Sequence, residues 1–232
     1  MRILGDYFND FLGLFFPALC AACGKNLFKN EETICTSCIY HLPYTLHHED
    51  PENRVAKQLW GRFPFTEAGS FVYFKKGSKV QHIMHQLKYN NRPEAGVKMG
   101  KLYGAELKRS SIWIMPDAII PVPLHPKKKK LRSYNQSECI ANGMAETLGI
   151  PVICDNLYRA ENTETQTRKT RFDRYKNLEE AFLIRNPEEF ANKHLLLVDD
   201  VITTGATLES CSLELLKVKN VSVSIATLAF AD

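Results

Sequence analysis

A chain of 232 residues with 44% hydrophobic and 24% charged side chains has the make-up of a globular protein, with room for one α/β domain and a small appendage. Its net charge of +4, from 30 basic and 26 acidic residues, is too mild to argue for nucleic acid by its sum. No run reaches the ~18 apolar residues of a membrane-spanning helix, which argues against membrane insertion.

The amino terminus holds Phe11-Leu12-Gly13-Leu14-Phe15-Phe16, but Asp6 and Asp10 precede it and Arg2 alone is basic. A signal peptide has a positive start and a small-residue cleavage site, so this stretch reads as an amphipathic helix from about Leu4 to Phe15. A cytoplasmic chain with reduced thiols is expected.

Four of the seven cysteines form two pairs, Cys20-x2-Cys23 and Cys35-x2-Cys38. A two-residue gap lets both thiolates of a pair face one ion, and Gly24 suits the tight turn beside them. Two such pairs can complete a closed tetrahedral site, structural rather than catalytic. Zinc is the expected ion; an iron–sulfur cluster uses the same donors, and a dithiol centre or disulfides are the competing readings. His41, His47 and His48 read as surface residues, and Cys139, Cys154 and Cys211 as small buried hydrophobes. Residues 1–50 are thus assigned to the amino-terminal helix and zinc element, 51–65 to a partly ordered linker broken by Pro51, Gly61 and Pro64, and 66–232 to the main domain.

In the main domain strands alternate with helices. Ala68 to Phe74 reads as a strand. A helix follows from Ser78 with Val80, Ile83, Met84 and Leu87 on one face, and Ala95 to Lys108 is a second helical pattern. A short apolar strand begins at Ala118 and runs into the loop Val122-Pro123-Leu124-His125-Pro126. Gln136 to Leu148 is helical, stopped at Gly149. Val152-Ile153, Ala181 to Ile184, 194–198 and Val221 to Phe230 read as strands. The alternation predicts a doubly wound, mainly parallel sheet.

The most specific stretch is Leu195 to Thr207. An apolar run ends in Asp199 and Asp200, turns through Thr203-Thr204-Gly205-Ala206-Thr207, and enters a helix. The carboxyl end of a strand in such a sheet is where ligands sit, and a helix start presents unpaired N–H groups to anions. Hydroxyl groups of a sugar donate to carboxylates, and Mg²⁺ would balance the charge of a phosphate held nearby. The stretch therefore reads as a holder for a phosphorylated ribose, against the plainer reading of a capped strand–turn–helix. It resembles the signature of the type I phosphoribosyltransferases, which bind 5-phosphoribosyl-1-pyrophosphate (PRPP). That resemblance implies that Asp199 and Asp200 take the ribose hydroxyls and Thr203, Thr204, Gly205, Ala206 and Thr207 the 5′-phosphate.

Two further loops are expected at the same sheet edge. Lys127 to Arg132, with Lys128, Lys130 and Arg132 as candidate donors, leads into Ser133-Tyr134-Asn135-Gln136-Ser137; positive charge there suits a departing pyrophosphate. The long segment from about Arg159 to Leu178, with Thr165-Gln166-Thr167, Arg168 and Arg171, has the polar composition of a lid.

The doubled Cys pairs, Leu87-Lys88-Tyr89, Pro121-Val122-Pro123-Leu124-His125-Pro126 with Asn135-Gln136, Thr165-Gln166-Thr167-Arg168 and the ribose-phosphate stretch together resemble the ComF family, over nearly the whole chain from about Leu14. The sequence departs from that family at Ser133-Tyr134, where the family usually has Gly and an aromatic. The resemblance implies a type I phosphoribosyltransferase-like fold, structural zinc, PRPP with Mg²⁺, and a place in DNA uptake by competent bacteria. It implies partners of that setting: single-stranded DNA, and a competence helicase or recombination-mediator protein. Two functional readings follow, a phosphoribosyltransferase with an unknown acceptor and a non-catalytic adaptor holding single-stranded DNA or a DNA-import partner.

Overall fold

The computed structural model describes residues 17–125, 131–160 and 182–231. The expected helix at Leu4 to Phe15, together with Lys128, Lys130, Arg168 and Arg171, lies outside them.

Four parallel strands form the centre, in the order β1 (Ala68–Phe74), β6 (Ser222–Ala231), β5 (His194–Ile202) and β2 (Ala118–Pro121). Leu195 to Val198 of β5 are wholly buried because helices cover both faces, which is why this strand reads as a continuous apolar run. One face carries α3 (Lys79–Tyr89), α4 (Pro93–Arg109) and α5 (Gln136–Leu148); their apolar side chains pack with Phe71, Leu196, Val198 and Leu228. The other face packs Leu195, Leu197 and Ile225 against α2 (Arg54–Leu59) and α6 (Ala206–Leu215). A separate antiparallel hairpin, β3 (Leu157–Arg159) with β4 (Phe182–Ile184), brackets the long polar segment. The expected strand at Val152-Ile153 is reduced to a single parallel bridge, Val152 to Ile119.

Both rims of the sheet carry a strip of chain. Outside β1, Tyr44 bridges Val72 in antiparallel sense, the Thr45 N–H donates to the Phe71 carbonyl at 3.0 Å, and the Tyr73 N–H donates to Pro43 at 2.8 Å. Outside β2, the Ile119 N–H donates to Pro151 and the Ile153 N–H to Ile119, both at 2.9 Å.

The amino-terminal element is built from a turn at Cys20–Gly24 and the short helix α1 (Thr36–Tyr40). Its Cys20, Ala21, Ala22, Ile34, Cys38 and Leu42 share one apolar cluster with α3, α4 and α5. His82 of α3 contacts the Ala22 carbonyl through Nδ1 at 3.2 Å, and Arg92 Nη1 donates to the Leu19 carbonyl at 3.0 Å.

The span 51–65, read from sequence as a partly ordered linker, contains α2, whose Val55 and Leu59 are wholly buried. Asn53 caps this helix, accepting from the N–H groups of Val55 and Ala56, while its own amide donates to the carbonyls of His47, Asp50 and Ala68. That one buried amide ties the segment to β1, and a six-residue helix is too short to show a periodic apolar face. His47 and His48 are buried, not on the surface. The His47 ring accepts from the Ser70 N–H at 3.3 Å and lies edge-on to Tyr73 and Phe230. Burial holds His47 neutral, with its pKa lowered to about 4.

α4 and α5 approach unusually closely because glycines line their contact. Gly96, Gly100 and Gly104 recur every fourth residue on α4 and face Cys139, Ile140 and Met144 of α5, while Gly143 of α5 faces Val97 and Lys101 of α4. A Cβ at Gly143 would lie 2.1 Å from the Val97 carbonyl oxygen, and one at Gly100 would lie 2.1 Å from the Ile140 oxygen. Backbone cannot yield as a side chain does, so one methyl group must separate the helices. Gly143→Ala is expected to destabilise the fold by about 2–4 kcal/mol, although alanine is intrinsically the better helix former by ~1 kcal/mol. Urea unfolding measures this; an unchanged or raised midpoint would refute the tight crossing.

Candidate functional site

The crevice forms where β2 and β5 part. Pairing of β5 with β2 ends at Pro121 and Val198, whereas pairing with β6 continues to Ile202 and Phe230. Proline limits the β2 ladder, and β5 runs on past it, so the strand passes through the acid pair and does not end before it. The opening has a volume of about 330 Å³. Among the residues around it are Asp199, Asp200, Thr207, Lys88, Arg132 and Arg159.

The two acids stand in different surroundings. Asp199 Oδ1 accepts from the Ser137 hydroxyl at 2.9 Å and from the Asp200 N–H at 2.8 Å. Asp200 Oδ2 lies 2.6 Å from Lys88 Nζ. Burial, and then the neighbouring Asp200 charge, push the Asp199 carboxyl up to about 7; the Asp200 N–H, Ser137 and Lys88 offset only part of this.

The sign of the resulting pH dependence follows directly. Folded Asp199 keeps its proton up to about pH 7, while in the unfolded chain it ionises near its ordinary value of 3.8. The unfolded state therefore binds fewer protons across that window, and stability falls as pH rises through it. Asp199→Asn cannot titrate and its amide oxygen can still accept both hydrogen bonds. It is expected to be more stable than the parent by roughly 1–3 kcal/mol at pH 8, the gap closing toward pH 4. Melting curves across pH test this, and a gap that widens on acidification would refute it.

α5 organises the facing wall. Asn135 caps it by accepting from the Ser137 N–H at 3.2 Å and donates to the Val122 carbonyl at 2.9 Å, fixing the Pro-Val-Pro loop. Arg132 Nη1 donates to Gln136 Oε1 at 2.8 Å, and its guanidinium lies 5.3 Å from the centre of the Tyr89 ring. Between these residues Ser133 has φ +65, the left-handed conformation that glycine adopts freely. The departure at Ser133 thus falls where the backbone favours the residue it replaces.

On the opposite wall Gly205, at φ +74, turns the chain into α6, and Thr207 in that helix's first turn faces the crevice. Thr203 and Thr204 are exposed, and among the five loop residues only Thr207 lines the opening. Lys88 and Tyr89 (part of the family resemblance), Ser137 (the end of the expected Ser133–Ser137 stretch) and Arg159 (the start of the expected lid) complete the site, although none had been given a role in it. They come from the end of α3, the start of α5 and β3, and nothing in their local spacing marks them. Three cations (Lys88, Arg132 and Arg159) face two carboxylates, so the opening suits an anion bearing hydroxyl donors.

In the amino-terminal element, the sulfur atoms of Cys20, Cys23, Cys35 and Cys38 lie within 4.8 Å of one another. Cys23 and Cys35 Sγ are 3.9 Å apart, close to the ~3.8 Å edge of a tetrahedron with metal–sulfur bonds of about 2.3 Å. The N–H groups of Ala22 and Cys35 donate to Cys20 Sγ at 3.4 and 3.3 Å. No disulfide joins any of the seven cysteines, and the four-thiol cage fits a tetrahedral ion. Cys139 and Cys211 are buried, as expected, and Cys154 is half-buried. Among the described residues no helix is long and apolar enough to cross a membrane.

Residues 135–232 match the Phosphoribosyl transferase domain family. Competence protein F of Haemophilus influenzae is 31% identical over 208 residues, covering 85% of this chain and 90% of that protein. DNA utilization protein YhgH of Salmonella typhi is 32% identical over 138 residues, or 58% of this chain and 60% of the relative. Among solved structures, glutamine PRPP amidotransferase from B. subtilis aligns with a TM-score of 0.42 at 20% identity, over 61% of this chain and 30% of that one.

Proposed function

We propose, because the chain belongs to the ComF family of phosphoribosyltransferase-like proteins, that its crevice binds PRPP with Mg²⁺ and serves phosphoribosyl transfer in the setting of DNA uptake. The observation that carries this reading is the acid pair, held by Ser137 and Lys88, opening on the same crevice as the first turn of α6. Carboxylates accept hydroxyl hydrogen bonds, and by the family resemblance Asp199 and Asp200 take the ribose 2′- and 3′-hydroxyls. The turn from Thr203 to Thr207 takes the 5′-phosphate at a helix start. Arg132 and Arg159 face the pyrophosphate, where negative charge grows as its bond to the ribose C1 breaks. Oxygen donors of the acid pair suit Mg²⁺, which when bound neutralises part of the pyrophosphate charge. The four thiols hold structural zinc.

The adaptor reading is favoured by one observation. The Tyr89 ring is 66% exposed at the crevice rim with Arg132 against it, a platform on which an unpaired base could stack. One titration series separates the two. PRPP with Mg²⁺ at a hundredfold excess over Kd is expected to stabilise the protein by about 2.7 kcal/mol. A melting temperature indifferent to millimolar PRPP, alongside DNA binding that weakens steeply with salt, would transfer the site to the adaptor.

A further inference from the structure

The segment from Gln58 to Arg62, outside the crevice, grips the turn that follows β5 from behind. Gln58 Nε2 donates to the Thr203 carbonyl and Arg62 Nη1 to the Thr204 carbonyl. The same guanidinium pairs with Glu209 in the first turn of α6, Nε lying 3.1 Å from Oε2. Leu59 closes the contact: a Cβ on Gly205 would sit 2.8 Å from Leu59 Cδ2 and 2.9 Å from Arg62 Nη1.

The carbonyl and N–H of a trans peptide point in opposite directions. Holding the Thr203 and Thr204 oxygens toward Gln58 and Arg62 therefore aims the N–H groups of Thr204 and Gly205 away from them. Among the described residues neither N–H has a protein acceptor. Such successive N–H groups ahead of a helix form an anion-binding concavity. Glu209 alone would repel an anion from that helix end, and Arg62 neutralises it.

We infer that Gln58 and Arg62 are positioning residues for the 5′-phosphate: they set the turn's N–H groups from outside and cancel the Glu209 charge. This rests on the proposal that the turn receives a sugar phosphate. It gives the segment 51–65 a part in ligand binding, although none of its residues lines the crevice.

Two probes test it by calorimetry: ribose 5-phosphate, which needs the turn, and inorganic pyrophosphate with Mg²⁺, which in the proposed arrangement meets Arg132 and Arg159. Arg62→Met is expected to weaken ribose 5-phosphate at least tenfold and to change pyrophosphate less than twofold. Gln58→Leu, which leaves the ion pair intact, shifts ribose 5-phosphate in the same direction by a smaller factor. Equal losses for both probes would mean general loosening of the fold and would overturn the inference, as would unchanged affinity for ribose 5-phosphate. A wild-type chain that takes pyrophosphate and PRPP but shows no preference for a 5′-phosphate also overturns it. A wild-type chain that binds none of the three overturns the reading of the site itself, and the role of the clasp with it.

Discussion

Cys38→Ser is expected to unfold the amino-terminal element and to lower the melting temperature of the whole chain by more than about 10 °C. Burial, together with the neighbouring thiols of Cys35 and Cys23, pushes Cys38 well above the ordinary thiol range, and a cation among the four sulfurs would offset that cost. Structural zinc contributes on the order of 10–16 kcal/mol in small metal domains, comparable with the ~5–15 kcal/mol total stability of an ordinary domain. The damage should also spread. Cys20, Ile34 and Cys38 share an apolar cluster with Val80, Ile83, Met84 and Leu87 of α3, which would lose their cover. Metal analysis should find one zinc per chain, and chelation at elevated temperature should reproduce the mutant. A colourless metal-free preparation that melts within a degree of the loaded protein would end the assignment; absorbance near 400 nm would replace zinc with an iron–sulfur cluster.

Asp200→Asn is expected to abolish stabilisation by PRPP. At about 2–4 °C per kcal/mol for a chain of this size, the ~2.7 kcal/mol from a hundredfold excess corresponds to a rise of roughly 5–11 °C. The amide keeps one acceptor oxygen but loses the charge that holds Lys88 Nζ at 2.6 Å and that accepts ribose hydroxyls most strongly. An unpaired Lys88 would then stand in the ribose site. A hundredfold loss in affinity, about 2.7 kcal/mol, would leave RT ln 2, about 0.4 kcal/mol, at the same ligand concentration, and a larger loss would erase the shift. The unliganded variant should melt close to the parent, since this pair is only partly buried. An undiminished shift in Asp200→Asn would show that the ligand lies elsewhere.

What the sequence disclosed, and what it hid, follows from the reach of each interaction. The four thiols and the acid pair were legible because ligand spacing and a strand–turn–helix pattern are local. The caps at Ser78 and the stop at Gly149 were legible for the same reason. The contacts of Lys88 and Ser137 with the acid pair were not, because only the folded sheet brings α3 and α5 to the end of β5. α2 escaped detection because six residues show no periodicity and its anchor, Asn53, works through distant carbonyls. The glycines of α4 were silent to any apolar count, since they act by lacking side chains. His47 misled because a histidine beside charged neighbours resembles a solvated one until its ring is seen between Tyr73 and Phe230.

The strips of chain along both rims of the sheet carry a consequence for assembly. A four-stranded sheet with bare outer strands would offer its amide ladder to any passing extended segment, including one from a second copy of itself. Here residues 43–45 occupy one border and 151–153 the other, so those positions are already taken. Strand addition is closed at those positions, so a partner that meets either border there must be recognised through side chains.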